Sequence, residues 1–127
     1  MRTSLRASRR DTAFDADVAE WPPSDARIKL YERALGRDPR NHFLLLDLAA
    51  EYARHRRTRD VRRTLEQVVE LFPASVMIHS RVAAAYAAAG LPQPAIHHYR
   101  RSLEIDPQQG GADAIMNEIG RLNRQAG

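Results

Sequence analysis

The stretch RVAAAYAAAGLPQPAIHHYRRSLEIDP, residues 81–107, decides the fold of this chain. It is rich in alanine, has a glycine near its middle and ends in a proline. The same order of residue types occurs earlier in the chain, where Pro39 and Pro73 precede Pro107 at intervals of 34 residues. A fixed period of this length is the mark of a repeat protein, in which each unit is one small structural motif.

The sequences that lead up to the three prolines match position by position. Aligned on the prolines, YERALGRDP, LEQVVELFP and YRRSLEIDP place apolar or small residues in the same columns. The matching columns are Tyr31, Leu65 and Tyr99, then Ala34, Val68 and Ser102, then Leu35, Val69 and Leu103, and further upstream Leu48 with Val82, Ala49 with Ala83 and Tyr52 with Tyr86. Agreement over six columns indicates a true internal repeat.

Each unit divides into two segments with helical periodicity. The first segment repeats its apolar residues with the spacing of one helical face: Leu45, Leu48, Ala49 and Tyr52. The second segment does the same: Val61, Leu65, Val68 and Val69. The pattern therefore predicts two antiparallel helices in each unit.

Residues typical of helix ends flank these segments. Asn41 and Ser75 are predicted to cap the first helix of each unit, and Thr58 and Ser24 to cap second helices. Gly90 is predicted to close a first helix, and the recurring prolines are predicted to end every second helix.

On these columns the chain resembles the tetratricopeptide-repeat (TPR) family. The unit at residues 76–107 matches best, with these residues on the signature columns: Ala83, Tyr86, Gly90, Ala95, Tyr99 and Pro107. The unit at residues 42–73 is looser, since Arg56 replaces the usual glycine and Val61 the interfacial alanine. Residues 24–39 keep only a second helix. Residues 111–125 read as a closing helix with one apolar face: Ala112, Ile115, Met116, Ile119 and Leu122.

This resemblance implies an all-α fold, a short α-solenoid of antiparallel helix pairs. We expect about two full repeats, a leading half repeat and a C-terminal capping helix. Such units bury their apolar faces only by stacking on one another. The expected organisation is a flexible N-terminal tail over residues 1–23 and a TPR-like helical domain over residues 24–127.

The composition narrows the function classes. The chain has no cysteine, which excludes disulfides and thiolate chemistry and fits a reducing, cytoplasmic location. No apolar run reaches the roughly 20 residues of a membrane span. Of the 20 basic residues only Lys29 is a lysine. This bias is typical of GC-rich, bacterial coding sequences, so the net charge of +4 does not by itself indicate an anionic partner.

No group of residues predicts catalysis, a metal site or a cofactor. His97 and His98 are adjacent, and side chains of neighbouring helical residues point about 100° apart, so they cannot hold one metal ion together. Glu51 and His55 share a helical face without a third ligand, and we expect them to form a solvated ion pair. His79 is expected to be a partly buried packing residue. The sequence therefore predicts a chain that is not an enzyme.

In the TPR family, the first helices of successive units line a concave groove that receives peptides or a partner's helix. The resemblance places this groove on three sets of residues: Phe43, Leu46, Ala50, Ala53 and Arg54, then Met77, Ser80, Ala84, Ala87 and Ala88, and finally Ala114, Glu118 and Arg121. Some relatives hold a chaperone's carboxylate tail with lysines and asparagines, but Leu46, Ala50, Ser80 and Ala84 occupy those columns here. Binding of such a tail is not expected.

An apolar groove of this kind fits a helix or a short hydrophobic segment of a partner. We therefore interpret the chain as a non-catalytic scaffold for protein–protein interaction. Three occupants are considered: a separate protein or peptide, a second copy of the chain, and the chain's own tail through Phe14, Val18 and Trp21.

A second hypothesis rests on RHRRTRDVRR, residues 54–63, where six arginines accompany one aspartate. Arg56, Arg57, Arg59, Arg62 and Arg63 would serve as an anionic contact of a nucleic-acid or phosphate-binding module. No aromatic residues alternate with these arginines, as they do in most single-strand binders, which favours a protein partner over nucleic acid. A third hypothesis makes the chain an accessory region of a larger enzyme system.

Overall fold

The computed structural model describes residues 24–127 of the chain. The expected tail over residues 1–23, with Phe14, Val18 and Trp21, lies outside the described residues. Residues 24–127 form six successive α-helices: α1 (Ser24–Arg37), α2 (His42–Arg54), α3 (Thr58–Leu71), α4 (Val76–Ala88), α5 (Pro92–Ile105) and α6 (Ala112–Ala126). The described residues contain no β-strand.

The helices pack in the order in which they occur. Each contacts the next along the chain, and α2 also contacts α4. The pairs α2/α3 and α4/α5 are the two full repeats, α1 is the leading half repeat, and α6 is the closing helix. The predicted all-α solenoid is confirmed.

Two of the predicted caps begin the first helices. The side chain of Asn41 accepts a hydrogen bond from the backbone N–H of Leu44 at 3.1 Å, and that of Ser75 accepts one from Ile78 at 3.1 Å. The prediction for Thr58 is wrong. Thr58 is the first residue of α3, and Arg57 precedes the helix without a capping bond from its side chain.

A continuous core runs through the stack. Its buried members come from all six helices: Ile28, Leu45, Leu48, Ala49, Tyr52, Val61, Leu65, Val68, Ile78, Val82, Tyr86, Ala95, Ile96 and Leu122. Ala83, Ala95 and Ser102 are fully buried, and small residues at these columns let neighbouring helices approach closely.

The closing helix α6 departs from the predicted single apolar face. Leu122 is fully buried, but Met116 is 60% exposed. Met116 occupies the column of Leu48 and Val82, which are buried. Those two residues lie in first helices that the second helix of their own unit covers, whereas no helix follows α6 in the described residues.

The predicted ion pair between Glu51 and His55 is also wrong. Glu51 is only 7% exposed, and its carboxylate lies 3.0 Å from the guanidinium of Arg27 in α1. The Nε2 atom of His55 lies 3.3 Å from a carboxylate oxygen of Asp25. Packing of α1 on α2 supplies both partners, and the spacing within α2 does not reveal them.

None of the described helices is long and apolar enough to cross a membrane.

Candidate partner-binding groove

The predicted groove begins at two exposed apolar side chains. Phe43 is 58% exposed and Met77 is 48% exposed. They are separated by one repeat length and lie in the first turns of α2 and α4 respectively. Exposed side chains of this size mark a surface on which further apolar area can be buried.

A cleft lined mainly by alanine lies between α2 and α4. Its volume is about 400 Å³, and its lining comprises Ala49, Ala50, Ala53, Arg54, Ala85, Ala88 and Ala89. Ala50, Ala53, Arg54 and Ala88 were assigned to the groove from the sequence. Ala49, Ala85 and Ala89 were missed because the repeat columns assign each residue to one face, whereas side chains between two faces also border a cleft. We call this depression the alanine cleft.

The other predicted groove residues have varied environments. Ala84 is exposed, whereas Leu46 and Ala87 are half-buried and pack against the core. Ser80 is half-buried, and its hydroxyl lies 2.9 Å from that of Ser102 in α5. On α6, Ala114 is exposed and Arg121 donates a hydrogen bond to Glu118 at 2.8 Å. This bond lowers the pKa of the Glu118 carboxyl.

A second depression lies where the two turns after α2 and α4 come together. Its volume is about 600 Å³, and it is lined by Ala53, Arg54, Arg56, Thr58, Val61, Ala88, Ala89, Gly90 and Leu91. We call it the turn cleft. The structure thus brings two arginines of the predicted anion-binding cluster, Arg54 and Arg56, to one end of the predicted groove.

The arginines at residues 54–63 differ in their pairing. Arg57 and Arg63 both bind Asp60, at 2.7 and 3.0 Å. The guanidinium of Arg57 also lies 4.5 Å from the ring centroid of Tyr52. Three arginines of this segment have no carboxylate of the described residues within 4.0 Å: Arg56, Arg59 and Arg62. The cluster therefore keeps an excess of positive charge.

A polar network connects α3, α4 and α5, with buried histidines and a half-exposed Glu66. Glu66 accepts hydrogen bonds from the hydroxyl of Tyr86 at 2.6 Å and from His98 at 2.9 Å. His98 in turn contacts His79 at 3.2 Å, and His79 contacts the carbonyl oxygen of Pro73 at 2.8 Å. Both histidines are 3% exposed. His79 is therefore more deeply buried than the sequence suggested.

Burial and hydrogen bonding set the protonation of this network. Burial lowers the pKa of His98, and the Glu66 carboxylate opposes that shift. Burial alone would raise the pKa of Glu66, but its hydrogen bonds with Tyr86 and His98 outweigh this and lower it. Burial, together with Glu66, also raises the pKa of Tyr86. Among the residues that the structure describes, no group of three or more His, Cys, Asp or Glu side chains is placed to hold a metal ion.

No protein-family model matches the sequence, and no curated protein matches it significantly. Solved structures do match. The chain is similar to the first TPR of Spaghetti (RPAP3) bound to the HSP90 peptide SRMEEVD, with 22% identity and a TM-score of 0.59 over 96% of this chain and 90% of that one.

The chain is also similar to the crystal structure of MamA, with 20% identity and a TM-score of 0.58. That match covers 93% of this chain and 63% of MamA. The repeat period, the stack of six described helices and these two structural neighbours agree: the chain has the tetratricopeptide-repeat fold.

Proposed function

We propose that this chain is a non-catalytic protein-interaction scaffold whose helical domain, residues 24–127, binds a helix or short apolar segment of a partner protein. The groove between α2 and α4 is the binding surface. It uses no cofactor. The observation that carries the proposal is the combination of Phe43 and Met77, both exposed, with the alanine cleft on the same pair of helices.

The likeness to a TPR structure with a bound peptide supports a peptide as the occupant. The columns that would hold a carboxylate tail are filled here by Leu46, Ala50, Ser80 and Ala84, none of which carries a charge. Apolar contact must therefore supply most of the affinity. Full burial of a Phe or Met side chain contributes about 1.5 to 3 kcal/mol. Because Phe43 and Met77 are already about half buried, each contributes about 1 kcal/mol on binding.

Smallness of the groove residues allows a close approach. An alanine presents little more than its backbone, so a partner helix can pack at short distance against Ala50, Ala53 and Ala88 and bury the surface between α2 and α4. This arrangement corresponds to the helix-in-groove mode of recognition. The net affinity remains modest, because ordering the partner segment offsets part of the apolar gain.

Selection from a displayed library of random 15-residue peptides tests this proposal. We expect the purified chain to enrich peptides with apolar residues at helical spacing. A synthetic copy of a selected peptide should bind Phe43→Glu at least tenfold more weakly by fluorescence anisotropy, because a charge replaces an apolar contact.

Met116→Glu is the matched control, since Met116 is as exposed as Phe43 but lies on α6 outside the groove columns. It should leave peptide binding unchanged, and both variants should keep the helical circular-dichroism signal. Unchanged binding by a helical Phe43→Glu variant, or equal losses in the two variants, would contradict the proposal.

A further inference from the structure

The alanine cleft and the turn cleft adjoin each other. Ala53, Arg54, Ala88 and Ala89 line both of them. Together the two clefts extend from the alanine floor between α2 and α4 to the turns that follow these two helices. We call this adjoining pair the joined cleft.

Two residues at the turn end are related by the repeat. Arg56 and Gly90 both line the turn cleft, and they occupy the same column one repeat apart. Both have left-handed backbones, with φ angles of 56° and 77°. Glycine adopts this conformation without strain, whereas a residue with a Cβ does not. The first repeat thus carries an arginine in a conformation that suits the glycine of the second repeat.

Strained backbone at a non-glycine position is concentrated at functional sites, where a side chain is needed despite its effect on stability. The side chain of Arg56 makes no described bond that would explain its presence. It has no acidic partner within 4.0 Å in the described part of the chain, and it is exposed. The guanidinium at the cleft is thus unexplained by the fold itself.

The joined cleft is positively charged. Among the described residues that line it, only Arg54 and Arg56 carry a charge. Arg54 lies 3.9 Å from Glu51, but that carboxylate already binds Arg27 at 3.0 Å. The C-terminal ends of α2 and α4 and the N-terminal ends of α3 and α5 all lie near this cleft, so their opposite partial charges offset one another. The charge of the joined cleft is therefore positive because of Arg54 and Arg56.

We propose that the joined cleft binds a protein segment that combines small apolar side chains with a carboxylate, and that Arg54 and Arg56 bind this carboxylate. The inference rests on the proposed function, because it specifies the chemistry of the segment in the groove. The alanines provide shallow apolar contact that does not fix the orientation of the bound segment. An arginine–carboxylate pair adds a fixed point that sets the register and polarity of the bound segment.

A protein segment fits this cleft better than a nucleic acid does. The floor consists of alanine methyl groups, and no aromatic side chain of the described residues lines either depression to stack on a base. Phosphate would also leave the alanine floor unused. A protein carboxylate and a nucleic-acid phosphate are both anionic groups, and the apolar floor favours the carboxylate of a protein segment.

The composition of selected 15-residue peptides tests the inference. We expect Asp or Glu beside small apolar residues in the enriched sequences. A synthetic peptide with this carboxylate changed to the amide should bind about fivefold more weakly at low salt, as an exposed ion pair predicts. This difference should shrink as salt is added.

Arg56→Gly is the decisive variant, because it installs the residue of the second repeat. It should weaken the acidic peptide about fivefold and leave the amide peptide unchanged, while its Tm stays equal or rises. Arg59→Gln removes an arginine of the same cluster that does not line the joined cleft, and it should bind both peptides like the original chain. If the role of Arg56 were only structural, its substitution would lower Tm and would affect the binding of the acidic and the amide peptide equally.

Several results would overturn this inference. If the selected groove peptides are not enriched in Asp or Glu, this inference fails and the proposed function stands. If no groove-binding peptide is recovered, both the inference and the proposed function fail. Equal losses for Arg56→Gly and Arg59→Gln would indicate diffuse attraction rather than a site. If the chain retains a DNA duplex on a filter and Arg56→Gly loses this retention, the arginines bind phosphate instead.

Discussion

His79 and His98 face each other with their Nδ1 atoms 3.2 Å apart, inside the contact between α4 and α5. The Nε2 atom of His79 must donate to the carbonyl oxygen of Pro73, and the Nε2 atom of His98 donates to the Glu66 carboxylate. With both Nε2 atoms donating, the contact between the Nδ1 atoms accommodates at most one hydrogen. Two N–H groups cannot face each other at this distance.

Burial in this contact disfavours the charged form of His98 and lowers its pKa. In the unfolded chain His98 takes up its proton near a pKa of about 6.5. As the pH falls through about 6.5, the unfolded state binds more protons than the folded state, so the free energy of unfolding falls by up to about 1.4 kcal/mol per pH unit for each excess proton.

Acidification from pH 7.5 to 5.5 is thus predicted to destabilise the chain through His98. Denaturant unfolding, followed by the helical circular-dichroism signal at several pH values, measures the effect. Glu66 does not interfere in this interval. Because its folded pKa is lowered, its stabilising contribution is present above its ordinary pKa of about 4.5 and is lost only at more acidic pH.

The chain offers its own control for this prediction. One repeat earlier, the columns of His79 and His98 hold Leu45 and Thr64, each 2% exposed. The double variant His79→Leu/His98→Thr should therefore fold and show a shallower loss of stability with acid. Two other titratable groups near the pair, Tyr86 and His97, remain in both proteins. Identical slopes for the two proteins would refute the prediction.

A second prediction concerns a bond that recurs with the repeat. The hydroxyl of Tyr52 donates to Glu32 at 2.7 Å, and that of Tyr86 donates to Glu66 at 2.6 Å. Burial, assisted by Glu32, raises the pKa of Tyr52 to about 12. Each Tyr→Phe change should lower the free energy of unfolding by about 1.5 kcal/mol, since a hydrogen bond to a charged group is lost.

Urea unfolding of Tyr52→Phe, Tyr86→Phe and the double variant measures this contribution. The two bonds lie in different interfaces, so their effects should add within about 0.5 kcal/mol. If either single variant were as stable as the original chain, the bond in that interface would have no net effect.

A third prediction tests the role of small residues in the stack. Ala83 is fully buried on α4, and Ala84 beside it is exposed. Ala83→Leu should lower stability by about 1 to 3 kcal/mol, because the added atoms force the helices apart. Ala84→Leu should change stability by less than about 0.5 kcal/mol. Thermal unfolding of both variants gives the comparison, and equal Tm values would contradict close packing at Ala83.

The order and ends of the helices were predictable from the sequence because they depend on local signals. The period of 34 residues, the apolar spacing and caps such as Asn41 and Ser75 act within one or two turns. The role of Thr58 was predicted wrongly because a threonine beside a helix start can be the cap or the first helical residue, and only backbone geometry separates the two.

The site was less predictable because its contacts join distant parts of the chain. Glu51 meets Arg27 across 24 residues, and Glu66 meets His98 across 32. The column alignment did indicate that His79 packs inside the repeat, because it occupies the same column as buried Leu45. A polar residue in a core column indicates a buried partner, although the alignment does not identify that partner as His98.

Backbone-amide NMR of the chain with a selected peptide locates the binding surface residue by residue. We expect the largest chemical-shift changes on α2 and α4, around Phe43, Ala50, Met77 and Ala88, with smaller changes on the outer helices α3 and α5. Changes concentrated on α3 and α5, with α2 and α4 unaffected, would contradict the groove as the partner-binding surface.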